Sequence, residues 1–470
     1  MRHLKTKTKL RTLKDLDSID HREIEELYRN YINPYFVNLL RLLGLNKRFV
    51  RAEGNKVWDS SGREYLDFLG AYGAINLGHN HKKVIEKIIE VQERPNLLQT
   101  VTNPLAALLA ENLAAITPGD LQYSFFCNSG AEAVEGAIKL AKISTGKPRI
   151  IYCKGSFHGK SMGALSITGR EKYRKYFNPL MPATTEVAFG SKEELKDVFN
   201  LYDDIAAFIV EPIQGEGGII TPPEGYLKEV RRLCSEKGIL LIVDEIQTGF
   251  GRTGHWFACD EEGINPDILC MAKSLGGGIM PIGAYIASKK VWHKGYGSID
   301  RFLLHTSTFG GNTWACAAAL AAIETLNDDN LIAETAHKGK YFIKRLKALM
   351  GKHPILVDVR GKGLMIGLEF DEGLNSITRS IIKNHTETVR EYIGGMIASS
   401  LVNQHGIITA YTLNNPKVIR IEPPLTVTYQ EIDYFINALD LVMVNLSGLK
   451  SLAFQTAKNL LGSFKKGREA

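Results

Sequence analysis

Lys273, in the string PDILCMAKSLGGG, follows an apolar run and precedes three glycines. Lysine usually lays its stem along the surface and keeps its ammonium in water. Held at the end of a buried strand instead, the ammonium form is disfavoured and the free amine can form a Schiff base with a carbonyl. Three other strings carry residues of comparable interest. In CNSGAEAVEGAIKLAK a strand runs through Asn128, Ser129, Gly130 and Ala131 into a helix with apolar residues at Val134, Ile138 and Ala141. A helix start of that kind offers free backbone N–H groups and a favourable dipole to an anion such as phosphate, although Ser129 would serve equally as a simple N-cap. KGSFHGKS places Phe157 just after a strand, where an aromatic ring is either a stacking plate for a flat ligand or ordinary core. ILLIVDEIQTGFGRTG ends an apolar strand on Asp244, with Gln247 close behind, and acids at strand ends are commonly just solvated.

Each residue taken alone has a plain structural reading; the combination does not. A phosphate nest, an aromatic plate, an aspartate and a lysine on neighbouring strand ends are what pyridoxal phosphate requires. The aspartate keeps the ring nitrogen protonated so that the ring can accept electrons, and the lysine tethers the aldehyde and later moves a proton.

These residues need a scaffold that brings strand ends together. From about residue 105 to 325 short apolar runs alternate with helix-period segments, the pattern of an α/β domain with a mostly parallel sheet covered on both faces. The predicted strands begin near Tyr123, Arg149, Ala206, Ile239, Pro266 and Ile282; between them GYLKEVRRLCSEKG reads as a helix closed by Gly238. Open sheets of this type bind ligands beyond the carboxyl ends of their strands, where Asn128, Glu211, Asp244 and Lys273 fall. After about residue 335 a few β-like runs flanked by helices suggest a smaller α+β domain, with Thr428 and Glu431 forming a capping box for a helix to about Leu446. The organisation expected is an N-terminal segment 1–80 (basic tail, hairpin and entrance loop, joined to the small domain), a large cofactor domain 81–335, a small domain 336–446 and an amphipathic basic tail 447–470.

Composition narrows the alternatives. The chain is 44% hydrophobic and 23% charged, an ordered globular balance. Six lysines and arginines fall in the first fourteen residues, so much of the net charge of +7 sits in one tail, and no basic stripe interleaved with aromatics suggests nucleic acid. No apolar run is long enough to cross a bilayer. The six cysteines form no CxxC pair and read as reduced core residues, and no His, Cys and carboxylate spacing suggests a metal site, His79, His81 and His158 included. The lysine-rich N-terminus lacks the apolar centre of a secretory signal, and a cytoplasmic location is expected.

The strings FFCNSGAEAVE, GSFHGKS, EPIQGEGG, VDEIQTGFGRTG, MAKSLGGG and HTSTFGGN, in that order, resemble the class III aminotransferases of fold type I over about residues 30 to 446. The resemblance implies that Ser129, Gly130 and Ala131 hold the cofactor phosphate, that Phe157 stacks on the ring, that Asp244 pairs with the ring nitrogen and Gln247 with the ring hydroxyl, and that Lys273 takes the aldehyde. It implies a homodimer in which Thr308 reaches the phosphate in the neighbouring subunit. Arg420, in VIRIEPPL, matches the arginine that binds a substrate α-carboxylate, and Glu216, in EPIQGEGG, the glutamate that covers this arginine when the donor end is a bare amine. Within the class, YSFFCNSG, LGAYGAINLGH and TLNNPKVIRIEPPLT are most similar to the putrescine aminotransferases, which implies transfer of a terminal amino group from a diamine to 2-oxoglutarate. Tyr72 and Ala74, in the loop expected at the substrate entrance, depart from that group. Ornithine, acetylornithine, lysine, 4-aminobutyrate or an aldehyde acceptor therefore stays open. A racemase or decarboxylase of the same fold would not need a 2-oxo acid, and a nicotinamide enzyme is disfavoured because GKGLMIG lacks the GxGxxG spacing.

Overall fold

The computed structural model describes residues 10–448 apart from 17, 43, 99 and 372–385; the expected C-terminal tail and most of the N-terminal basic tail lie outside the described residues. Near the N-terminus β1 (Phe49–Glu53), β2 (Lys56–Asp59) and β3 (Glu64–Asp67) form an antiparallel meander. The central apolar runs then give β4 (Leu121–Cys127), β5 (Arg149–Cys153), β6 (Thr184–Val187), β7 (Ile205–Val210), β8 (Leu240–Asp244), β9 (Ile268–Met271) and β10 (Gly283–Ser288). They assemble into one seven-stranded sheet in the order β4-β10-β9-β8-β7-β5-β6. β10 is antiparallel to both its neighbours, and the other strands run parallel to one another.

Alternation of side chains divides the core of this sheet between its two faces. Phe208, Val210, Leu241, Val243, Leu269 and Met271 pack into one apolar cluster. Ala207, Ile209, Ile242, Ile268 and Cys270 pack into another, with Val134, Ala137, Ile138 and Ala141 of the helix Gly130–Thr145. Both faces are covered, so the inner strands β7, β8 and β9 carry almost no polar residue along their length, and polar groups are displaced to the ends. The helix Tyr226–Lys237 buries Leu227, Val230, Leu233 and Cys234 and stops at Gly238, whose φ of +64° closes the last turn. All six cysteines are buried with free thiols, as their place in apolar strands and helices suggests.

Towards the C-terminus β11 (Leu356–Lys362), β12 (Met365–Phe370), β14 (Ala410–Tyr411) and β15 (Val418–Ile421) form a second sheet, while β13 (Ile407–Ile408) adds in parallel to β3 and so joins the N-terminal meander to this half of the chain. Thr428 caps the helix Tyr429–Gly448 through reciprocal bonds with Glu431, at 2.8 Å and 3.2 Å. The seam between the sheets is fixed by Arg252, fully buried, which donates to the carbonyls of Leu364 at 3.1 Å and Pro423 at 2.5 Å. That seam brings the segment after β15 against the loop after β8. Among the described residues no helix is long and apolar enough to cross a membrane.

Candidate active site

The carboxyl ends of β4, β5, β7, β8 and β9 open into a cavity of about 630 Å³. Ser129, Gly130, Ala131, Phe157, Asp244, Gln247 and Lys273 all line it, together with His158, Glu211 and Ile246. The helix Gly130–Thr145 starts at the cavity wall with Ser129 as its N-cap, the hydroxyl accepting from the Glu132 amide at 3.2 Å. Capping and ligand binding are therefore compatible: one orphan amide is satisfied, and the others of the first turn remain available to an anion. The helix can come this close because Gly130 has no side chain; a Cβ there would meet the Ile246 side chain at 2.8 Å.

Asp244 ends β8 and is buried, with one carboxylate oxygen 2.7 Å from His158 Nδ1 and the other accepting from the Ile246 amide at 3.1 Å. Burial alone would lower the His158 pKa, but the hydrogen bond and negative charge of Asp244 outweigh it and the imidazole is held above its ordinary value. Glu211, just beyond β7, accepts from the amides of Phe157 at 2.8 Å and Gly215 at 3.1 Å, and burial pushes its pKa up to about 7. It thereby fixes the aromatic ring and the loop that carries Glu216. Lys273 lies two residues past β9, opens a 3-10 turn and has a φ of +46°, a left-handed conformation costly for a residue with a Cβ. Burial lowers its pKa, opposed first by Glu422, so the neutral amine forms more readily than on a surface lysine.

Beside the cavity, Arg420 of β15 is fully buried, and its guanidinium meets the Glu216 carboxylate at 2.5 Å. The Tyr72 ring stands 5.0 Å from the same guanidinium, on a loop where Ala71 and Tyr72 both have left-handed φ values, +49° and +60°. Glu216 also accepts from the Leu413 amide at 2.9 Å, and the charge of Arg420 keeps its pKa below the ordinary value in spite of burial. Thr308 does not line this cavity; it is exposed, in a segment that also exposes Phe302, Leu303, Leu304 and Phe309.

Two residues of this site were not singled out from the sequence for what they do here. In the sequence His158 is weighed only as a metal ligand and set aside, whereas its partner in the structure is Asp244. Glu422 is buried 3.7 Å from Arg420 and accepts from Gln247 Nε2 at 2.8 Å and 2.9 Å. A signal for Glu422 existed: residues two apart on a strand share a face, so a functional Arg420 places residue 422 on the same side.

A half-buried amine and a buried carboxylate at the strand ends, lining one cavity with a helix N-terminus, are the working arrangement of fold type I pyridoxal-phosphate enzymes. The chain belongs to the class III aminotransferases: the profile of the family Aminotransferase class-III matches residues 45–443. It is 41% identical to aminotransferase PigE of a Serratia species over 89% of its own length, and spans about half, 53%, of that curated relative. Among solved structures it is similar to the ornithine aminotransferase of Toxoplasma gondii (28% identity, TM-score 0.82, covering 94% of this chain and 99% of that one). It is also similar to an (S)-enantioselective omega-transaminase of Thermomicrobium roseum (32% identity, TM-score 0.77, covering 85% and 93%). Pyridoxal phosphate is the cofactor of this family, and the donor set fits it. The cavity offers amides for a phosphate, an aromatic ring, a buried carboxylate whose second partner is a histidine, and an amine of lowered basicity.

Proposed function

We propose that this chain transfers a terminal amino group from a diamine such as putrescine to 2-oxoglutarate, releasing an aminoaldehyde and glutamate. The observation that carries this reading is the buried pair of Glu216 and Arg420 beside the cavity. A buried guanidinium without a partner is costly, so a site that must alternately receive a bare amine and a dicarboxylate needs an internal carboxylate to cover the arginine in the first half of the cycle. Glu216 does this, and it leaves for the second half by giving up the Leu413 amide as well as Arg420. Arg420 then binds the carboxylate of the oxo acid in a fork geometry.

The remaining roles follow the chemistry of each group. Pyridoxal phosphate, when bound, supplies an aldehyde that takes up the amine and a ring that takes up the electron pair left as the C–H proton departs. Ser129, Gly130 and Ala131 would bind the phosphate, and Phe157 would bear on the ring. Asp244, oriented by His158, would set a negative charge against the ring nitrogen, and Gln247, which lines the same cavity, would serve the ring hydroxyl. Lys273 would hold the aldehyde, and its Nζ, once free, would carry the proton from the nitrogen-bearing carbon of the substrate to the carbon of the cofactor aldehyde, the transfer that distinguishes amino exchange from racemisation. Thr308 would complete the phosphate site of a second copy of this chain.

The similarity to an ornithine aminotransferase favours a second reading in which the donor is ornithine. Both readings are tested by incubating the cofactor-loaded enzyme with 2-oxoglutarate and putrescine, ornithine, acetylornithine, lysine or 4-aminobutyrate, and measuring glutamate. Putrescine should lead; no glutamate from any amine would rule out both. Borohydride treatment should fix the cofactor to the peptide that contains Lys273 and to no other.

Glu216→Gln gives a more local test. With the covering charge gone, Arg420 should attract carboxylates in the donor half-reaction as well. The ratio of kcat/KM for putrescine to that for glutamate should fall by roughly tenfold or more, the size expected when one partner of a buried ion pair is removed. An unchanged ratio would show that Glu216 is not the cover.

A further inference from the structure

Arg420 faces two carboxylates, and Glu216 is only one of them. Glu422 is fully buried, with an oxygen 3.7 Å from Arg420 Nη1, and it cannot swing away as Glu216 can. Gln247 Nε2 donates to both of its oxygens, and its own amide donates to the Phe68 carbonyl at 2.8 Å. The entrance loop closes over it: a Cβ on Gly73 would lie 3.2 Å from Glu422 Oε1, and one on Gly70 2.4 Å from the Glu422 carbonyl oxygen. Tyr72, between these glycines, is the residue stacked on Arg420. Glu422 thus touches the arginine, Gln247 and the base of the loop at once, and it is a fixed charge.

We infer that Glu422 is a specificity-determining residue that biases this site toward donors carrying a second ammonium group and against dicarboxylates. The inference rests on the reading above, in which Arg420 binds the oxo acid. Charge bookkeeping gives the reason. With Glu216 in place, one guanidinium faces two carboxylates, and the local excess is one negative charge, which favours a diamine over a monoamine or an amino acid. With Glu216 withdrawn, Arg420 and Glu422 still cancel, so an arriving carboxylate meets a neutralised pair where a lone arginine would have offered a full positive charge. Two charges several ångströms apart in a partly buried site interact strongly enough to change affinity by about tenfold. Glu422 is also the largest of the charges that oppose the lowering of the Lys273 pKa, which is consistent with its field reaching the reacting end of the cavity.

Glu422→Gln removes the charge and keeps an oxygen to accept from Gln247. Binding of glutarate, an unreactive dicarboxylate, to the holoenzyme is followed by calorimetry, alongside KM for putrescine and for 2-oxoglutarate. Glutarate should bind roughly tenfold more tightly to the variant, KM for 2-oxoglutarate should fall, and KM for putrescine should rise, with kcat changing less than either. Glu422→Asp, which retains the charge, should stay near the wild-type ratio of the two KM values; a merely structural role would make the two variants alike. Unchanged glutarate binding in Glu422→Gln, with binding weakened in Arg420→Lys, overturns the inference and leaves the transfer reading intact. Unchanged glutarate binding in Arg420→Lys overturns the transfer reading itself.

Discussion

Replacing Lys273 by alanine should abolish turnover while leaving the protein folded and able to bind its cofactor. The phosphate, ring and ring-nitrogen contacts expected for pyridoxal phosphate come from other elements: the start of the helix Gly130–Thr145, Phe157 after β5 and Asp244 at the end of β8. Alanine would inherit the φ of +46°, so the backbone strain is unchanged, and the carboxylates whose charges act on Lys273 keep their other partners, Arg420 for Glu216 and Glu422 and His158 for Asp244. What disappears is the tether and the group that moves the proton, which together should cost roughly 10³-fold or more in kcat. Borohydride should then fail to fix the cofactor to the peptide, and a small primary amine added to the buffer should restore part of the rate. A variant that keeps kcat within tenfold of the parent would remove Lys273 from the mechanism.

Lys273 also shows how much of this enzyme could be read from its sequence. The strands were legible because both faces of the central sheet are buried, so that strings such as IVD and ILCM carry almost no polar residue until the strand ends. The same rule made Asp244 and Lys273 conspicuous. Parallel order was implied by the alternation of strands and helices, while the one reversed strand, β10, has nothing in its composition to set it apart. The site was less legible where it depends on contacts between distant segments. His158 and Asp244 are 86 positions apart, Gln247 and Glu422 175, and no local pattern pairs them. The left-handed pair Ala71 and Tyr72 is hidden for a different reason: neither residue type favours that conformation, which is imposed by the packing of the loop on the segment after β15.

The Asp244 and His158 pair carries the other large effect. Asp244→Asn should reduce kcat by roughly 10²- to 10³-fold, the loss seen when one preorganised electrostatic partner of a reacting group is removed. The substitution is nearly isosteric, and an Asn oxygen can still accept from the Ile246 amide. Affinity for the cofactor should therefore fall far less than the rate, since the phosphate site at Ser129, Gly130 and Ala131 is untouched. His158→Gln leaves the aspartate charge in place and disturbs only its orientation, so it should cost about tenfold. The histidine supplies an independent readout. Burial lowers its pKa and Asp244 raises it, with Asp244 prevailing. Removing the aspartate charge leaves only the smaller pull of Glu211 against burial, so the His158 ring resonance should titrate at lower pH in Asp244→Asn than in the parent. If the resonance moves as expected and kcat does not, Asp244 organises the pocket without taking part in the chemistry; if both fall together, the charge that raises the His158 pKa is also the one that sustains the transfer.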